Sequence, residues 1–546
     1  MILTMNKTRF LMTVFTVLTF FTLFSCNNNE PVGNELFPDS QIVIVYDNDV
    51  HCAVDGYAKL VAIRDQQKQN TNYVTTVSCG DFISGGLVGA ASQGESIIDI
   101  MNEVDYDVVT LGNHELDFGM THMFALTDAL EAEVVCSNLK NCQTDEYPYP
   151  AYKMIRYGDI DIAFMGFTTT TSGTAVTLSD ENGNPLYTFM RDEFYQNAQY
   201  FIDEARAKGA EYVIALAHLG DFGYVQGHPS SVQLIENTKG LDAVIDGHEH
   251  HVIEERFVLN KDSEPVLLTS SGKQFNYVGM LSINTDGTLN STLVNITSAT
   301  TPVDAATQQF VDDIKEEIEI IGNRIVGHSD VDLTIYDENG NRIVRLSETN
   351  IGNFCADAFR SLASSDVALM NGGGIRTDIN NGDVSFNDIL SVMPFGNNIY
   401  RATITGQHLM DALEFAVSVL PNESGSFMQV SGLKFDVDVS IPTPVVYDVE
   451  NDLYSYVGNG ERRVSDLRIL DAETGEYLPI DLNRTYSIAS IDYLVTELGG
   501  SGILRYAEPE DVYLSTDIEA IIHYIDELGG VIGTEYDDVE GRIEIK

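Results

Sequence analysis

Between residues 40 and 300 the sequence repeats one pattern: a short apolar segment runs directly into aspartate, asparagine or histidine. The apolar segments are Gln41–Tyr46, Tyr73–Val77, Asp107–Leu111, Glu211–Leu216 and Leu241–Ile245. Stretches with helical spacing lie between them, at Tyr57–Lys68, Glu95–Val104 and Arg191–Lys208. Short strands that alternate with helices predict an α/β layered domain. Ligand sites in such sheets collect at the carboxyl ends of the strands, so the polar residues that follow each segment are candidates for a site.

The polar residues at these strand ends are donors that transition metals accept. They are Asp49, His51, Asp81, Asn113, His114, His218, His248 and His250, and they include five of the 11 histidines in the chain. Carboxylate, amide and imidazole groups without thiolate suit Zn²⁺, Mn²⁺, Fe or Co rather than Ca²⁺. No Cys-x-x-Cys pair exists, which argues against a thiolate zinc site. The number of donors predicts two ions that share a carboxylate.

The segment Gly112–Asp117 reads Gly-Asn-His-Glu-Leu-Asp and has two interpretations. In the first, Asn113 offers a metal-binding amide oxygen, and Asp117 orients the His114 imidazole through its other nitrogen. In the second, the segment is an ordinary helix start, with Asn113 as the cap and acidic residues complementing the helix dipole.

Length and charge narrow the possible partners. A chain of 546 residues predicts two or more domains. The net charge of −53 argues against a nucleic-acid polymer as partner. If the substrate is a phosphate, local positive charge must come from metals and a few arginines.

The N-terminus predicts export. Lys7 and Arg9 precede an apolar run that is too short for a comfortable membrane span. Leu-Phe-Ser-Cys at 23–26 resembles a bacterial lipobox, which implies a lipoprotein-type signal peptide at 1–25, a lipid anchor on Cys26 and a tether at 26–39. Ordinary signal cleavage is the alternative. In an oxidising compartment Cys136 and Cys142 could close a small loop.

Taken together, the motifs resemble those of the calcineurin-like dinuclear metallophosphoesterases, in the order typical of the 5′-nucleotidase branch. The motifs are Asp49-x-His51, Gly80-Asp81, Gly112-Asn113-His114-Glu115, His218 and Gly247-His248-x-His250. The resemblance implies one ion on Asp49, His51 and His250, a second on Asn113, His218 and His248, and Asp81 as the bridge. It also implies a catalytic dyad of His114 and Asp117. His228 and His251 match no family position and are predicted to be surface residues.

The rest of the chain resembles the same family. The resemblance implies a β-sandwich of the four-layer metallophosphoesterase type at 40–297, a linker with a hinge helix at 298–327 and a mixed α+β specificity domain at 328–546. A helix packed on one domain is the alternative for the linker. The residues implied to bind substrate are Arg345, Asn371, Arg376, Phe395, Asn397 and Tyr493. The two aromatics would stack on a base, with core packing as their alternative. Ser501 stands where the family usually has an aspartate for the ribose hydroxyls.

The expected protein is an exported enzyme, periplasmic or attached to the outer membrane. It would use two divalent metal ions, Zn²⁺, Mn²⁺ or similar, and a metal-activated water to hydrolyse nucleoside 5′-monophosphates. Its partner would be a small phosphate ester, with membrane contact only through Cys26. The alternatives are a 2′,3′-cyclic-nucleotide phosphodiesterase, a nucleotide-sugar hydrolase, a non-nucleotide phosphatase and a non-catalytic binding lipoprotein.

Overall fold

Strands and helices form along most of the chain, as the alternating pattern predicts. The computed structural model describes residues 39–170, 178, 185–222, 228–448, 453–456, 460–495 and 502–546. The predicted signal peptide 1–25, Cys26, the tether as far as residue 38 and Ser501 lie outside the described residues. None of the helices that the structure describes is long and apolar enough to span a bilayer.

The first half of the chain alternates strands with helices. Its strands are β1 (Ile42–Asp47), β2 (Val74–Ser78), β3 (Val108–Val109), β4 (Glu133–Val134), β5 (Lys140–Asn141), β6 (Tyr152–Tyr157), β7 (Ile160–Thr168), β8 (Tyr187–Thr188), β9 (Tyr212–His218), β10 (Ala243–Ile245), β11 (Val252–Leu259), β12 (Pro265–Ser271), β13 (Tyr277–Ile283) and β14 (Leu289–Asn295). Its helices are α1 (Tyr57–Lys68), α2 (Gly86–Ser92), α3 (Glu95–Val104), α4 (Met120–Ala129), α5 (Phe194–Ala207) and α6 (Ser231–Asn237). The predicted strands and helices of this half are therefore confirmed, with shifts of a few residues at their ends.

Two six-stranded sheets form the centre of this half. Their strand orders are β14-β13-β1-β2-β3-β4 and β11-β12-β10-β9-β7-β6. Alternate residues of each strand face the other sheet, so that Ile42, Ile44 and Tyr46 of β1 share one core with Ile214 and Leu216 of β9. The outer face of each sheet packs against helices in a core of its own. The predicted layered β-sandwich flanked by helices is confirmed.

Helix α7 (Ala305–Gly322) connects the two halves. Asp304 caps its start by accepting the Thr307 backbone N–H at 2.8 Å. Its apolar stripe of Val311, Ile314 and Ile318 is buried in the core between the first sheet and its helices. The helix therefore packs on the first half, which was the alternative for this segment, while it also joins the two halves. The domain boundaries at 297/298 and 327/328 remain predictions.

The second half mixes strands and helices. Its strands are β15 (Ile325–Ser329), β16 (Val367–Asn371), β17 (Gly382–Ser385), β18 (Asn398–Thr405), β19 (Met428–Ser431), β20 (Leu433–Val437), β21 (Val445–Asp448), β22 (Leu453–Tyr456), β23 (Val464–Leu470), β24 (Tyr477–Pro479), β25 (Thr485–Ile491), β26 (Glu508–Thr516), β27 (Val531–Ile532) and β28 (Ile543–Ile545). Its helices are α8 (Asn350–Ala363), α9 (Phe386–Val392), α10 (Gly406–Ala416), α11 (Asp492–Val495) and α12 (Asp517–Glu527). The main sheet has the order β19-β16-β25-β18-β26, with both parallel and antiparallel pairs, as an α+β domain requires.

The structure does not support the loop that Cys136 and Cys142 could have closed, because both cysteines are free. Cys136 is fully buried and lies 3.5 Å from the Thr168 hydroxyl, whereas Cys142 is exposed. The proximity of the two residues in sequence was therefore misleading: one side chain faces the core and the other faces solvent.

The packing of α7 gives a test of its contribution to the first half. Ile318 is 4% exposed, while Ile320, two residues away on the same helix, is 70% exposed. Ile318→Ala should lower the free energy of unfolding by about 2–5 kcal/mol, because it empties part of a packed core. Ile320→Ala is the matched control and should change it by less than about 0.5 kcal/mol. Urea unfolding followed by circular dichroism measures both, and equal losses would contradict the assigned packing.

Candidate active site

The carboxyl ends of five strands meet at one edge of the sandwich. Strands β1, β2 and β3 are parallel neighbours in one sheet, and β9 and β10 are parallel neighbours in the other. Each of these strands leads into a loop that carries predicted site residues. The sandwich therefore brings side chains that are far apart in sequence to one place.

The backbone at this edge is strained. Asp49, His51, Asp81, His248 and His250 all have positive φ, between 44° and 86°. Non-glycine residues rarely adopt this conformation, and each such residue costs on the order of 1–3 kcal/mol. The surrounding structure must hold these loops in place. In this conformation the side chains of Asp49, His51, Asp81 and His250 come close to one another.

Three of the predicted ligands form a first group. Asp49, His51 and His250 offer donor atoms that all lie within 4.8 Å of one another. The Nε2 atoms of the two histidines are 3.0 Å apart, and His250 Nε2 lies 3.5 Å from Asp49 Oδ1. Asp49 is fully buried. Burial lowers the pKa of His250 to about 4, so its imidazole is neutral near pH 7, as a metal ligand must be.

A second group consists of Asp49, Asp81 and His218. His218 Nδ1 donates to the Cys79 carbonyl at 2.7 Å, so Nε2 is the nitrogen that faces the cluster. This Nε2 is buried and lies 3.0 Å from Asp81 Oδ2 and 3.9 Å from Asp49 Oδ1. Burial opposes protonation of His218, but Asp81 and Asp49 outweigh it and raise its pKa to about 10. The space between Nε2 and the two carboxylates therefore favours a positive charge, which a proton on Nε2 or a metal cation can supply.

Of the other two predicted ligands, His248 lies beside this second group, and Asn113 directly precedes His114, whose backbone N–H donates to Asp81 Oδ1 at 2.9 Å. Asn113 does not cap the short 3₁₀ helix that follows it, and its Oδ1 is buried without a partner among the described residues. The interpretation of Asn113 as an ordinary helix cap is therefore wrong. The His248 ring lies 5.2 Å from the His218 ring, between centroids. Burial lowers the pKa of His248 to about 3, so this imidazole is neutral as well.

His114 and Asp117 form the predicted pair. His114 Nδ1 donates to Asp117 Oδ2 at 2.8 Å, and its ring lies 5.2 Å from that of His51. Burial opposes protonation of His114, but the carboxylates of Asp117 and Asp81 outweigh it and raise its pKa well above the usual value. His114 also lies within 4.8 Å of the donor atoms of His51 and Asp81. The structure thus allows this imidazole to act as an acid or as a ligand.

Glu115 is a residue that the sequence analysis missed. It is 2% exposed, and its carboxylate accepts the backbone N–H groups of Asp81, Phe82 and Gly112 at 2.5–2.9 Å. It thereby ties the loop that carries Asp81 to the loop that carries Asn113. Gly112 is required here, because a Cβ atom would lie 2.1 Å from Asp81 Oδ1. The only available signal was Glu115's place within the Gly-Asn-His-Glu motif.

Asn48 plays a similar part on the other side of the site. Its Nδ2 donates to Asp49 Oδ2 at 2.6 Å and to the Gly272 carbonyl at 2.7 Å, while its Oδ1 accepts the Ser271 N–H at 2.8 Å. Asp49 is therefore anchored to the loop after β12, which no feature of the sequence indicated.

The predicted substrate-binding residues all lie in the second half, where Asn371 ends β16, Tyr493 belongs to α11 and the other four lie on loops. Phe395 and Tyr493 are 59% and 42% exposed, so the interpretation as core aromatics is wrong. The Arg376 guanidinium lies 5.7 Å from the centre of the Phe395 ring. Phe395 lines a cleft between the halves, which Phe118, next to Asp117 in sequence, lines from the other side.

The remaining three residues differ in how they are held. Asn371 Nδ2 donates to the Gly425 carbonyl at 3.2 Å, but its Oδ1 is buried without a partner among the described residues. Arg345 Nε is likewise buried and unpartnered within the described part of the chain. Asn397 is instead engaged within the protein, because its Nδ2 donates to Asp517 Oδ2 at 2.9 Å. Two of the three thus have unsatisfied polar atoms that a ligand could satisfy.

Comparisons with known proteins agree with the two halves. The family model for calcineurin-like phosphoesterases matches residues 43–252, and that for the 5'-nucleotidase C-terminal domain matches residues 325–506. The chain is 26% identical to the trifunctional nucleotide phosphoesterase protein YfkN of Bacillus subtilis (strain 168), over 95% of this chain but only 36% of that protein. It is 23% identical to the snake venom 5'-nucleotidase of Naja atra, over 92% of this chain and 98% of that one.

A solved structure shares the fold. The 5'-nucleotidase precursor of Thermus thermophilus matches with a TM-score of 0.58 and 24% identity, over 92% of this chain and 99% of that chain. The two-half architecture therefore extends across nearly all of the described residues.

The position of Glu115 leads to a prediction. Glu115→Gln should lower the free energy of unfolding by about 1–3 kcal/mol, because an amide NH₂ would face backbone N–H groups that lose their acceptor. The loops that carry Asp81 and Asn113 should loosen together, so Zn²⁺ affinity should fall as well. Exposed Glu131→Gln is the control and should change neither quantity. Thermal unfolding and equilibrium dialysis with Zn²⁺ measure the two effects, and wild-type behaviour in both would exclude the assigned role.

Proposed function

We propose that this chain, which belongs to the calcineurin-like phosphoesterases that carry a 5'-nucleotidase C-terminal domain, hydrolyses nucleoside 5′-monophosphates to nucleoside and phosphate. Both family matches and the nucleotidase relatives make the chain a hydrolase that acts on phosphate esters. The nucleoside monophosphate as substrate is our proposal. The observation that supports it most is the buried cluster of Asp49, Asp81 and His218, together with the cleft lined by the exposed Phe395.

The residues present fit two divalent ions. Asp49, His51 and His250 would hold one, and Asn113, His218 and His248 the other, with Asp81 shared. The unpartnered His218 Nε2 and Asn113 Oδ1 support this division, since a cation would satisfy both. Such ions would neutralise the oxygens of a phosphate ester and lower the pKa of a water so that it can attack phosphorus.

His114 would then supply acid catalysis. Asp117 holds the ring through Nδ1, so Nε2 is the nitrogen available to the substrate. Because the Asp117 carboxylate stabilises the protonated imidazole through Nδ1, His114 would donate a hydrogen bond or a proton from Nε2 to the oxygen that leaves phosphorus. The His114 backbone N–H donates to Asp81 Oδ1 at 2.9 Å, which fixes the residue's position relative to the ligand cluster.

The second half would select the leaving group. All phosphate esters share the phosphoryl group, so discrimination must come from side chains that reach the rest of the substrate. Phe395 and Tyr493 would stack on the base, and Arg345 and Arg376 would bind phosphate or its neighbours. Asn371 would hydrogen-bond substrate. Asn397 would hydrogen-bond substrate only after leaving Asp517.

Export and membrane attachment are part of the proposal. The N-terminal segment with its lipobox-like sequence would place the enzyme in the periplasm or on the outer membrane, anchored through Cys26. Nucleotides are small anions, and the chain carries a net charge of −53. Capture would therefore depend on the ions and on Arg345 and Arg376 rather than on the protein's overall field.

A second candidate substrate is a 2′,3′-cyclic nucleotide. Ser501 in place of the family's aspartate favours it, because a hydroxyl lacks the charge that would hold both ribose hydroxyls of a nucleoside. The first-named relative is a nucleotide phosphoesterase described as trifunctional, which is compatible with more than one substrate. A nucleotide sugar or a non-nucleotide ester uses the same metal chemistry and would be separated by the same substrate panel. The paired His114 and Asp117 argue against a non-catalytic binding protein, which has no need of an oriented imidazole.

The dyad can be separated from the ligand set by one substitution. His114→Asn should lower kcat by roughly 10²–10⁴, the usual contribution of a positioned acid or base, while metal content stays at the wild-type level. Steady-state kinetics on an aryl phosphate and metal analysis of the same samples measure the two effects. His523→Asn, at an exposed position in the second half, is the control. Loss of one metal equivalent in His114→Asn would move this residue into the ligand set.

The role of the second half can be tested by comparing substrates. Arg376→Ala should lower kcat/KM for AMP tenfold or more, because a charge-assisted hydrogen bond contributes about 1.5–3 kcal/mol. Its effect on a small aryl phosphate should be far weaker. Exposed Arg468→Ala, whose guanidinium pairs with Asp466, is the control for loss of charge. Equal losses on AMP and the aryl phosphate would show that this half does not select the leaving group.

A further inference from the structure

A separate group of metal-type donors lies next in sequence to His218, at the end of β9, and to the loop that carries His248 and His250. It consists of Asp221, Glu249 and His251, whose donor atoms all lie within 4.8 Å of one another. None of the three belongs to the proposed dinuclear set. We infer that this group is a third metal site, for a transition cation such as Zn²⁺ or Mn²⁺, that locks the two loops together.

The buried carboxylates carry the inference. The side chains of Asp221 and Glu249 are 6% and 7% exposed. Glu249 Oε2 accepts the Phe222 N–H at 3.0 Å, but Oε1 is fully buried and has no hydrogen-bond partner among the described residues. A buried carboxylate oxygen beside a second carboxylate is costly unless a cation or a proton lies between them. Burial and the neighbouring Asp221 raise the pKa of Glu249 to about 7, so a proton shared by the two carboxylates competes with a cation for this position, and the experiment below separates the two.

His251 completes the donor set. Its Nδ1 lies 2.6 Å from Asp221 Oδ1 and 3.6 Å from Glu249 Oε2. A cation would replace the proton that joins His251 to Asp221. The His251 side chain is 52% exposed, which confirms the prediction of a surface residue, and its open side gives an ion access from solvent. Two carboxylates and one imidazole form a donor set that suits Zn²⁺ or Mn²⁺ better than Ca²⁺.

Arg256 is a cation of the chain that already contacts this group. Its guanidinium lies 3.2 Å from Asp221 Oδ2, whereas His251 contacts Oδ1 of the same carboxylate. Asp221 can therefore serve both partners, one with each oxygen. The contact with Arg256 does not involve Glu249, whose Oε1 has no hydrogen-bond partner among the described residues. The Glu249 carboxylate can therefore bind the metal.

The group of Asp221, Glu249 and His251 lies where it can join two neighbouring loops. Asp221 lies three residues after His218, and Glu249 stands between His248 and His250 in sequence. Gly220 also lies against the Glu249 side chain, where a Cβ atom would approach its carboxyl carbon to 2.7 Å. A cation held by Asp221, Glu249 and His251 would thus tie the loop after β9, which follows the proposed ligand His218, to the loop after β10, which carries the proposed ligands His248 and His250.

The experiment counts Zn²⁺ bound to the full chain by equilibrium dialysis and metal analysis. Wild type should bind three equivalents. His251→Gln should bind two, because it removes one donor from an exposed position, and the control His523→Gln should bind three. A wild-type count of two that His251→Gln leaves unchanged would overturn the site in favour of a shared proton. Loss of all bound Zn²⁺ in His251→Gln would overturn it as a separate site.

A second pair of variants isolates the third site from the proposed dinuclear centre. Asp81→Ala removes the shared ligand of that centre but leaves Asp221, Glu249 and His251 intact. It should still bind Zn²⁺, and its Tm should rise on addition of Zn²⁺. The double variant Asp81→Ala/His251→Gln should show a smaller rise, because the other ligands of the proposed dinuclear centre remain while the third site has lost a donor. If the rise is the same in both variants, or absent from both, the third site is wrong. Neither the Zn²⁺ count nor the Tm shift depends on enzyme activity. Failure of the proposed function would therefore appear separately, as a lack of turnover.

Discussion

The site depends on the burial of Asp49 and Asp81 side by side between two sheets. Removing two like charges from water is unfavourable unless they are compensated where they lie. The chain supplies part of this compensation through backbone N–H groups, since His248 donates to Asp49 and His114 donates to Asp81. Nearby imidazoles, such as that of His218, can compensate more of the carboxylate charge. The buried Asn113 Oδ1 has no partner among the described residues, so it is free to bind a ligand from outside the protein. Strained backbone, Glu115 and Asn48 all serve to hold this unfavourable cluster in place.

The two halves divide the work according to the kinds of group that they carry. The first half concentrates carboxylates and imidazoles at one edge of a rigid sandwich. The second half presents aromatic rings and guanidinium groups, and its Phe395 borders the cleft between the halves. In the proposed function, chemistry that is common to all phosphate esters would belong to the strand ends of the first half. Recognition of the variable part of a substrate would belong to the second half, whose loops can differ between related proteins without disturbing the sandwich.

The sequence predicted the strands and helices of the first half, and it predicted that Asp49, His51, Asp81, His218 and His250 lie close together. Both predictions rest on the same local pattern. A short apolar segment followed by a metal-type residue is a local pattern, and the carboxyl ends of neighbouring parallel strands necessarily meet. Helix α3, for example, begins and ends at the residues that its spacing indicated. Features that arise only from three-dimensional packing were missed. Glu115 reads as an ordinary acidic residue until the backbone N–H groups of two loops are seen to converge on it. Asp221 and His251 are far apart in sequence and share no motif. The possible disulfide between Cys136 and Cys142 does not form, because proximity in sequence does not determine which side chain faces the core.

The packing of α7 bears on how such a two-part protein can arise. Its buried stripe completes the core of the first half, and Lys315 also pairs with Asp55 of that half at 2.8 Å. By its packing, α7 therefore groups with the first half of the chain rather than with the second. A gene fusion that joined the sandwich to a different specificity module would preserve a finished core only if it carried the helix along. The same order holds during synthesis, since the sandwich has the helix that completes its core before the second half has left the ribosome.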